Sequence, residues 1–565
     1  MRQCCALVRR GASVARLIAS VESRETVQKH GLNEPAAATA SELAWTLQTF
    51  TQAAVHGVTL SPSSARFRAL TPGVVPAASP DFGHVGFGGG VVHKLGITDA
   101  SFLYLESPSN PMNIGSVQLL EVPARDGFFD ELKVYLAQRV HAIPFMRRRL
   151  KSTPLTLDQP VWVEDAEFNI DNHVSRVVLG APGTWAQLET MVARLHEAPL
   201  PRSRPLWAFY YIEGLASGQV AWFCKYHHAC IDGMAGQGII DVLFSKDPAT
   251  DPPLTQPTVA EPEPGALDLV LDAARSLLDQ SLDWTSRLEG QRKAIGRLFT
   301  RLMRGEKGLG ALYGEAPRTP FNCAIGRYRT WSAASLPLRE MKVVAKSQRA
   351  TLNDVVMAVC AAGLRRYLIR HEALPAAPLR CGVPVSLRAP GDTSMRNQVT
   401  MLVATLATDL ADPLARLLAI NASMQVGKGV VADTGALQPE DLHLPGLPAV
   451  MATASLWAER LRLADFVSPM VNVVISNVRG PVRPMYLHGA KMCSHFPVSI
   501  PAHSVALNLT VQTYVDRVDL GVTACLEAVP DVADLRDDIV EGWLELKAAA
   551  MPRELSVPLI EACAA

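Results

Sequence analysis

The chain has 565 residues, 48% hydrophobic and 19% charged, which excludes wholesale disorder and a multispan membrane protein and leaves room for two domains with extensions. Lys plus Arg and Asp plus Glu both number 54, so no global field recruits nucleic acid. The ten cysteines are scattered singly apart from Cys4-Cys5, which suggests a reduced, cytoplasmic interior, and no run of about 18 apolar residues is present to span a membrane.

Residues 1–93 read as a poorly ordered N-terminal extension, rich in Ala, Ser, Pro and Gly and closing on Phe87-Gly88-Gly89-Gly90. Its first twenty residues carry Arg2, Arg9, Arg10 and Arg16 and no acid, a composition shared by organelle transit peptides and by plain tails. From about Leu95 the texture changes. Ser116–Val122 alternates apolar and polar residues as a half-buried strand does, while 128–141, 184–196 and 234–244 carry helical patterns. Residues 94–248 are therefore expected to form one mixed α/β unit. Within it, 206–213 and 219–226 flank the turn-forming Gly214-Leu215-Ala216-Ser217-Gly218 as a hairpin, and the second strand runs into His227-His228.

A Pro-rich, acidic segment from Asp251 to Gly265 cannot hold a helix or a central strand, so 249–320 reads as a linker followed by a bridging helix. That helix becomes basic near its end, at Arg297, Arg301, Arg304 and Lys307, which suits either a solvated bridge or a contact with a membrane surface or acyl carrier. A second mixed unit is expected over 321–550. Its clearest helix starts at Thr351, where Thr351 and Asp354 form a capping signal before an apolar run. Residues 551–565 are left as a tail.

Chemistry concentrates at the end of the hairpin. An alcohol attacking a thioester must lose its proton as the new bond forms, and a histidine with a pKa near 6.5 suits that task at neutral pH. Two imidazoles at a strand end, followed by Asp232-Gly233 and a helix, place a base and a bracing carboxylate where a loop can aim them into a cleft. By pattern alone, the same residues also fit a metal site or a structural pair of histidines.

The segment His227-His228-Ala229-Cys230-Ile231-Asp232-Gly233 resembles the HHxxxDG motif of CoA-dependent acyltransferases, a superfamily that includes chloramphenicol acetyltransferases and peptide-synthetase condensation domains. Companion motifs resemble those of the bacterial wax ester synthase/diacylglycerol acyltransferase family. They are Thr98–Glu106 with Asn110-Pro111-Met112, Arg202–Trp207, Asn353–Val356, Pro384–Arg388 and Asn472–Pro481, in the family's order, spanning about Leu95 to Lys547. Two features depart from the family pattern: Asn397-Gln398 stands where a Gly-Asn pair is expected, and the first ninety residues have no counterpart.

The resemblance implies a mixed α/β fold of two chloramphenicol-acetyltransferase-like halves with the active-site channel between them. It implies acyl-CoA as a substrate, diacylglycerol or a fatty alcohol as acceptor, no metal and no organic cofactor, and a cytoplasmic protein held peripherally at a membrane or lipid inclusion. His228 is then the catalytic base, His227 a residue that shapes the loop, Asp232 a structural brace and Gly233 the residue that lets the backbone turn. Asn353, Ser476 and Asn477 are candidate donors to the oxyanion. Pro205, Leu206 and Trp207 read either as core at a strand start or as a wall of the acyl channel.

Overall fold

A computed structural model of the chain describes residues 93–231, 236–254, 262–276, 315–386, 399–434 and 447–551. The N-terminal extension up to residue 92, Asp232 and Gly233, the basic helix end at 297–307, Asn397-Gln398 and the tail beyond Met551 lie outside the described residues.

The first half contains β1 (His93–Lys94), α1 (Ile97–Leu105), β2 (Asn113–Glu121), α2 (Phe128–Ala137), β3 (Arg148–Lys151), β4 (Val161–Glu164) and β5 (Val174–Val178). It continues with α3 (Trp185–Glu197), β6 (Trp207–Glu213), β7 (Val220–His227) and α4 (Gly236–Leu243), and residues 266–276 are helical beyond it. The second half contains β8 (Arg329–Pro337), α5 (Leu338–Ser347), α6 (Leu352–Arg370), β9 (Arg380–Ser386), β10 (Val399–Thr405), α7 (Pro413–Thr434) and α8 (Leu447–Arg460). It ends with β11 (Val473–Val478), β12 (Tyr486–Leu487), β13 (Ala490–Val498), β14 (Leu507–Tyr514), β15 (Arg517–Cys525) and α9 (Val532–Ala550).

Local signals explain several boundaries. Thr351 and Asp354 close a reciprocal capping box on α6, and Thr184 and Gln187 close another on α3, each satisfying backbone donors that a helix start leaves open. The helical pattern expected over 128–141 stops as a helix at Ala137 and continues as short 3-10 turns, in a stretch that reaches Pro144. The expected hairpin forms: β6 and β7 pair antiparallel from Trp207 opposite Tyr226 to Ile212 opposite Ala221.

Two six-stranded sheets organise the halves, ordered β12-β13-β2-β7-β6-β5 and β10-β9-β11-β14-β15-β8. The first sheet does not respect the boundary expected near residue 320. β13 pairs antiparallel with β2, from Lys491 opposite Glu121 to Val498 opposite Gly115, so a late segment completes the early half. In the second sheet, β11 runs parallel to both β9 and β14, and the other pairings are antiparallel. An apolar core that includes Val355, Val359, Leu364, Leu509, Val522, Ile539 and Trp543 fills the space between that sheet and α6 and α9.

The halves are also latched through α3. Glu189 Oε1 accepts from Trp185 Nε1 (2.8 Å), Ser332 Oγ (2.5 Å), the Ala333 amide (3.2 Å) and Arg536 (3.2 Å), joining α3 to β8 and α9. A buried carboxylate with this many donors is held strongly in place.

Candidate active site

β7 is buried along its whole length because both faces of its sheet are covered. Trp222, Cys224 and Tyr226 enter the core of the first half, while Ala221 and Phe223 pack with Trp331 and Phe496 on the other face. The strand ends at His227, and the chain then turns, with the Cys230 amide donating to the His227 carbonyl at 2.9 Å. Three contacts set the rings at this turn. The Ala229 amide donates to His227 Nδ1 (3.1 Å), the His228 amide donates to the Met112 carbonyl (2.8 Å), and the His228 ring stacks on Phe102 with centroids 3.9 Å apart and planes at 11°.

His227 is only 1% exposed, and its Nε2 lies 3.3 Å from Glu106 Oε1. The two atoms lie within ion-pair distance but are not aligned as a hydrogen bond. Glu106 sits just past the end of α1, where Arg202 donates to its other oxygen at 2.9 Å. Burial alone would raise the Glu106 pKa, but the adjacent His227 and Arg202 outweigh it and hold the carboxyl down to about 2. It is therefore an anion at neutral pH, and His227 spans between it and the turn that carries His228.

A second buried group supports the same strand. Lys225 Nζ donates to the carbonyls of Leu195 (2.7 Å) and Ala198, at the end of α3 where carbonyls lack helical partners and the dipole is negative. Asn113 donates to the His196 and Ala198 carbonyls at 3.1 and 3.0 Å. Desolvation lowers the Lys225 pKa to about 7, against the pull of Glu106 and Glu197. The end of α3 is thus pinned beneath the turn that carries His227 and His228.

His228 faces a cavity between the two halves. Gln118, Cys224, Ile239 and Leu243 line it from the first half, Ser476, Thr510 and Gln512 from the second sheet, and His495 and Pro497 from β13. The crossing strand thus forms one wall. Gln118 Nε2 donates to Ser116 Oγ (2.8 Å) and lies 3.1 Å from His495 Nε2, and the His495 amide donates to Asp519 at 2.6 Å. Burial lowers the His495 pKa to about 4 and raises that of Asp519 to about 6, the latter opposed by its hydrogen bonds from His495 and Ser335. His495 is therefore a neutral polar lining group at pH 7, not a cation.

Of the residues singled out from the sequence, the structure brings His228 and Ser476 onto one cavity and sets His227 behind the turn. Asn353 and Asn477 do not line that cavity; Asn477 donates to Asn353 Oδ1 at 3.3 Å, and Asn353 Nδ2 faces Met357 sulfur at 3.5 Å. Pro205, Leu206 and Trp207 belong to the buried core rather than to the cavity wall: Leu206 is 0% exposed, and the Trp207 indole donates to the Met146 carbonyl at 2.9 Å. Sequence reasoning did not single out Phe102, Glu106, Gln118 or His495. Phe102 and Glu106 at least lay inside the Thr98–Glu106 motif, whereas Gln118 and His495 gave no signal beyond a polar residue in an apolar strand.

Comparison with known proteins gives the family and the fold. Residues 95–356 match the wax ester synthase/diacylglycerol acyltransferase catalytic domain, and residues 395–547 match the C-terminal domain of the same enzymes. A Mycobacterium tuberculosis protein named as a diacylglycerol O-acyltransferase is 33% identical over 462 residues, covering 81% of this chain and 91% of the relative. The O-acyltransferase WSD of Acinetobacter baylyi is 31% identical, covering 78% and 94%. Among solved structures, the wax ester synthase/diacylglycerol acyltransferase of Marinobacter aquaeolei superposes with a TM-score of 0.58 at 29% identity, covering 81% of this chain and 99% of that one. The first condensation domain of the calcium-dependent antibiotic synthetase shares the fold at 16% identity and a TM-score of 0.52, covering 81% and 97%. The chain belongs to the wax ester synthase/diacylglycerol acyltransferase family of O-acyltransferases, and its two halves are those of the chloramphenicol-acetyltransferase type.

Proposed function

We propose that this enzyme transfers a long-chain fatty acyl group from CoA to the hydroxyl of diacylglycerol or of a long-chain alcohol, with His228 as the general base. The observation that carries the reading is the His228 ring, stacked on Phe102 at the wall of a cavity to which both halves contribute. The acceptor's O–H bond breaks as its proton passes to the imidazole, and its oxygen bonds to the thioester carbon. The tetrahedral intermediate then collapses, the C–S bond breaks, and the imidazolium returns the proton to the CoA thiolate. The products are an ester and free CoA, with no acyl-enzyme on the path.

Ser476, on the same cavity, is the oxyanion donor in this scheme, with Asn477 and Asn353 beside it as an interlocked pair. In the same scheme Asp232 is the structural brace and Gly233 the residue that lets the backbone turn, as the sequence motif implies. No helix among the described residues is long and apolar enough to cross a membrane, and water-insoluble acceptors call for a peripheral lipid surface.

The test is CoA release from palmitoyl-CoA by the full chain, with diolein or hexadecanol as acceptor. Wild type turns over at least one acceptor, and His228→Ala lowers turnover by about 10²–10⁴ while melting normally. Normal turnover in a folded His228→Ala variant would overturn the mechanism, and no turnover by wild type with either acceptor would overturn the substrate assignment.

A further inference from the structure

Soluble helices turn their apolar stripe inward. α8 departs from this. Val450, Ala454, Trp457 and Leu461 recur at helical spacing on its solvent side, with Val450 64%, Trp457 42% and Leu461 56% exposed. The apolar surface continues past the helix through Phe466 (78% exposed), Val467 and Met470 (76%). Large side chains this exposed and this close together mark an interaction surface rather than scattered surface residues.

We infer that α8 and the segment through Met470 form the face by which the enzyme docks on an anionic phospholipid surface, a step that rests on the acyltransferase reading above. Three observations select that occupant. The patch ends in an aromatic and cationic pair, Arg460 lying 5.9 Å over the Trp457 ring, the combination that settles at the boundary of headgroups and acyl chains. Its rim exposes Arg318, Arg460 and Arg462 against one exposed acid, Glu315, while Glu459 accepts from Ser109 and Asp465 from the Ala324 amide and Arg462. The inner side of α8 packs on α1, the helix that carries Phe102 and hence the stacking partner of His228. A lipid-dissolved acceptor at this face is separated from the base by a single helix layer.

The experiment is flotation of the full chain with vesicles of phosphatidylcholine and phosphatidylglycerol, run beside CoA release with a water-soluble short-chain alcohol. Wild type floats, less so at high salt; Phe466→Ser/Met470→Ser weakens binding by about tenfold or more, and Arg460→Glu weakens it on anionic vesicles. Both variants keep activity on the soluble alcohol, because the substituted residues lie outside the catalytic turn. Wild type that does not float, or a double variant that floats as wild type does, overturns the inference. So does a double variant that converts a dimer to a monomer while leaving flotation intact, which would assign the face to a second copy. Loss of CoA release in wild type with every acceptor instead defeats the acyltransferase reading, independently of flotation.

Discussion

Behind the second sheet, α6 and α9 cross so closely that a Cβ on Gly363 would lie 2.3 Å from Ile539, and one on Gly542 would lie 2.6 Å from the Ala362 side chain. The layer is filled by aliphatic residues and Trp543, and its contribution is burial of apolar area. Between the two sheets an apolar cluster that joins Phe223 and Phe496 to Trp331 is interrupted by polar groups: Gln118, Glu189, Ser332, His495 and Asp519 are buried there and partner one another or the backbone. Burying such groups costs free energy unless each is hydrogen-bonded, so this layer contributes less to stability and more to position. The rear layer holds the molecule together, and the front layer holds the cavity-lining groups in register.

Three changes test that division. The largest effect belongs to the rear layer: Trp543→Ala, at a side chain only 1% exposed, is expected to cost about 3–5 kcal/mol, read by denaturant unfolding, with turnover per folded molecule near wild type. A selective loss of turnover without loss of stability would break the comparison.

Next comes Glu106→Gln beside the front layer. It removes the anion that faces His227 and Arg202 without touching the cavity, so turnover should fall about tenfold to a hundredfold while the KM for acyl-CoA stays near wild type. A rise in KM with unchanged turnover would place Glu106 in substrate binding instead.

The third change concerns pH dependence. Folded Lys225 gives up its proton near pH 7, whereas an unfolded lysine keeps it to about 10.5. Between those values the unfolded chain binds one more proton, so this group makes stability rise with pH from about 7 to 10. Lys225→Met should flatten that rise, measured as the unfolding midpoint at several pH values. An unchanged slope would show that the side chain stays charged against the Leu195 and Ala198 carbonyls.

Features that depend on neighbours in sequence were legible before the structure. Thr351 and Asp354 stand three residues apart, so the capping box of α6 is a local event, and the β6–β7 hairpin follows from two apolar runs separated by Gly214–Gly218. The position of His227-His228 at a strand end followed from the same hairpin. Asn353 and Asn477 were chosen as separate donors, and only their packing shows that they bond to each other. Pro205-Leu206-Trp207 left two readings open because an apolar triplet looks the same in a core as in a channel; the structure buries it, with the Trp207 indole bonded to Met146, away from the cavity that His228 faces. The basic helix end at 297–307 and Asp232 lie outside the described residues.

The sequence by itself determined the mixed α/β class, the hairpin that ends in the histidine pair and, through its ordered motifs, the family, because each is written in residues a few positions apart. Only the tertiary structure decided that β13 crosses into the first sheet, that Glu106 stands behind His227 across 121 positions of chain, and that the exposed side of α8 is apolar. The physical reason is the same in each case. Strand pairing, ion pairing and exposure depend on which distant segments meet, and a local pattern carries no record of that partner.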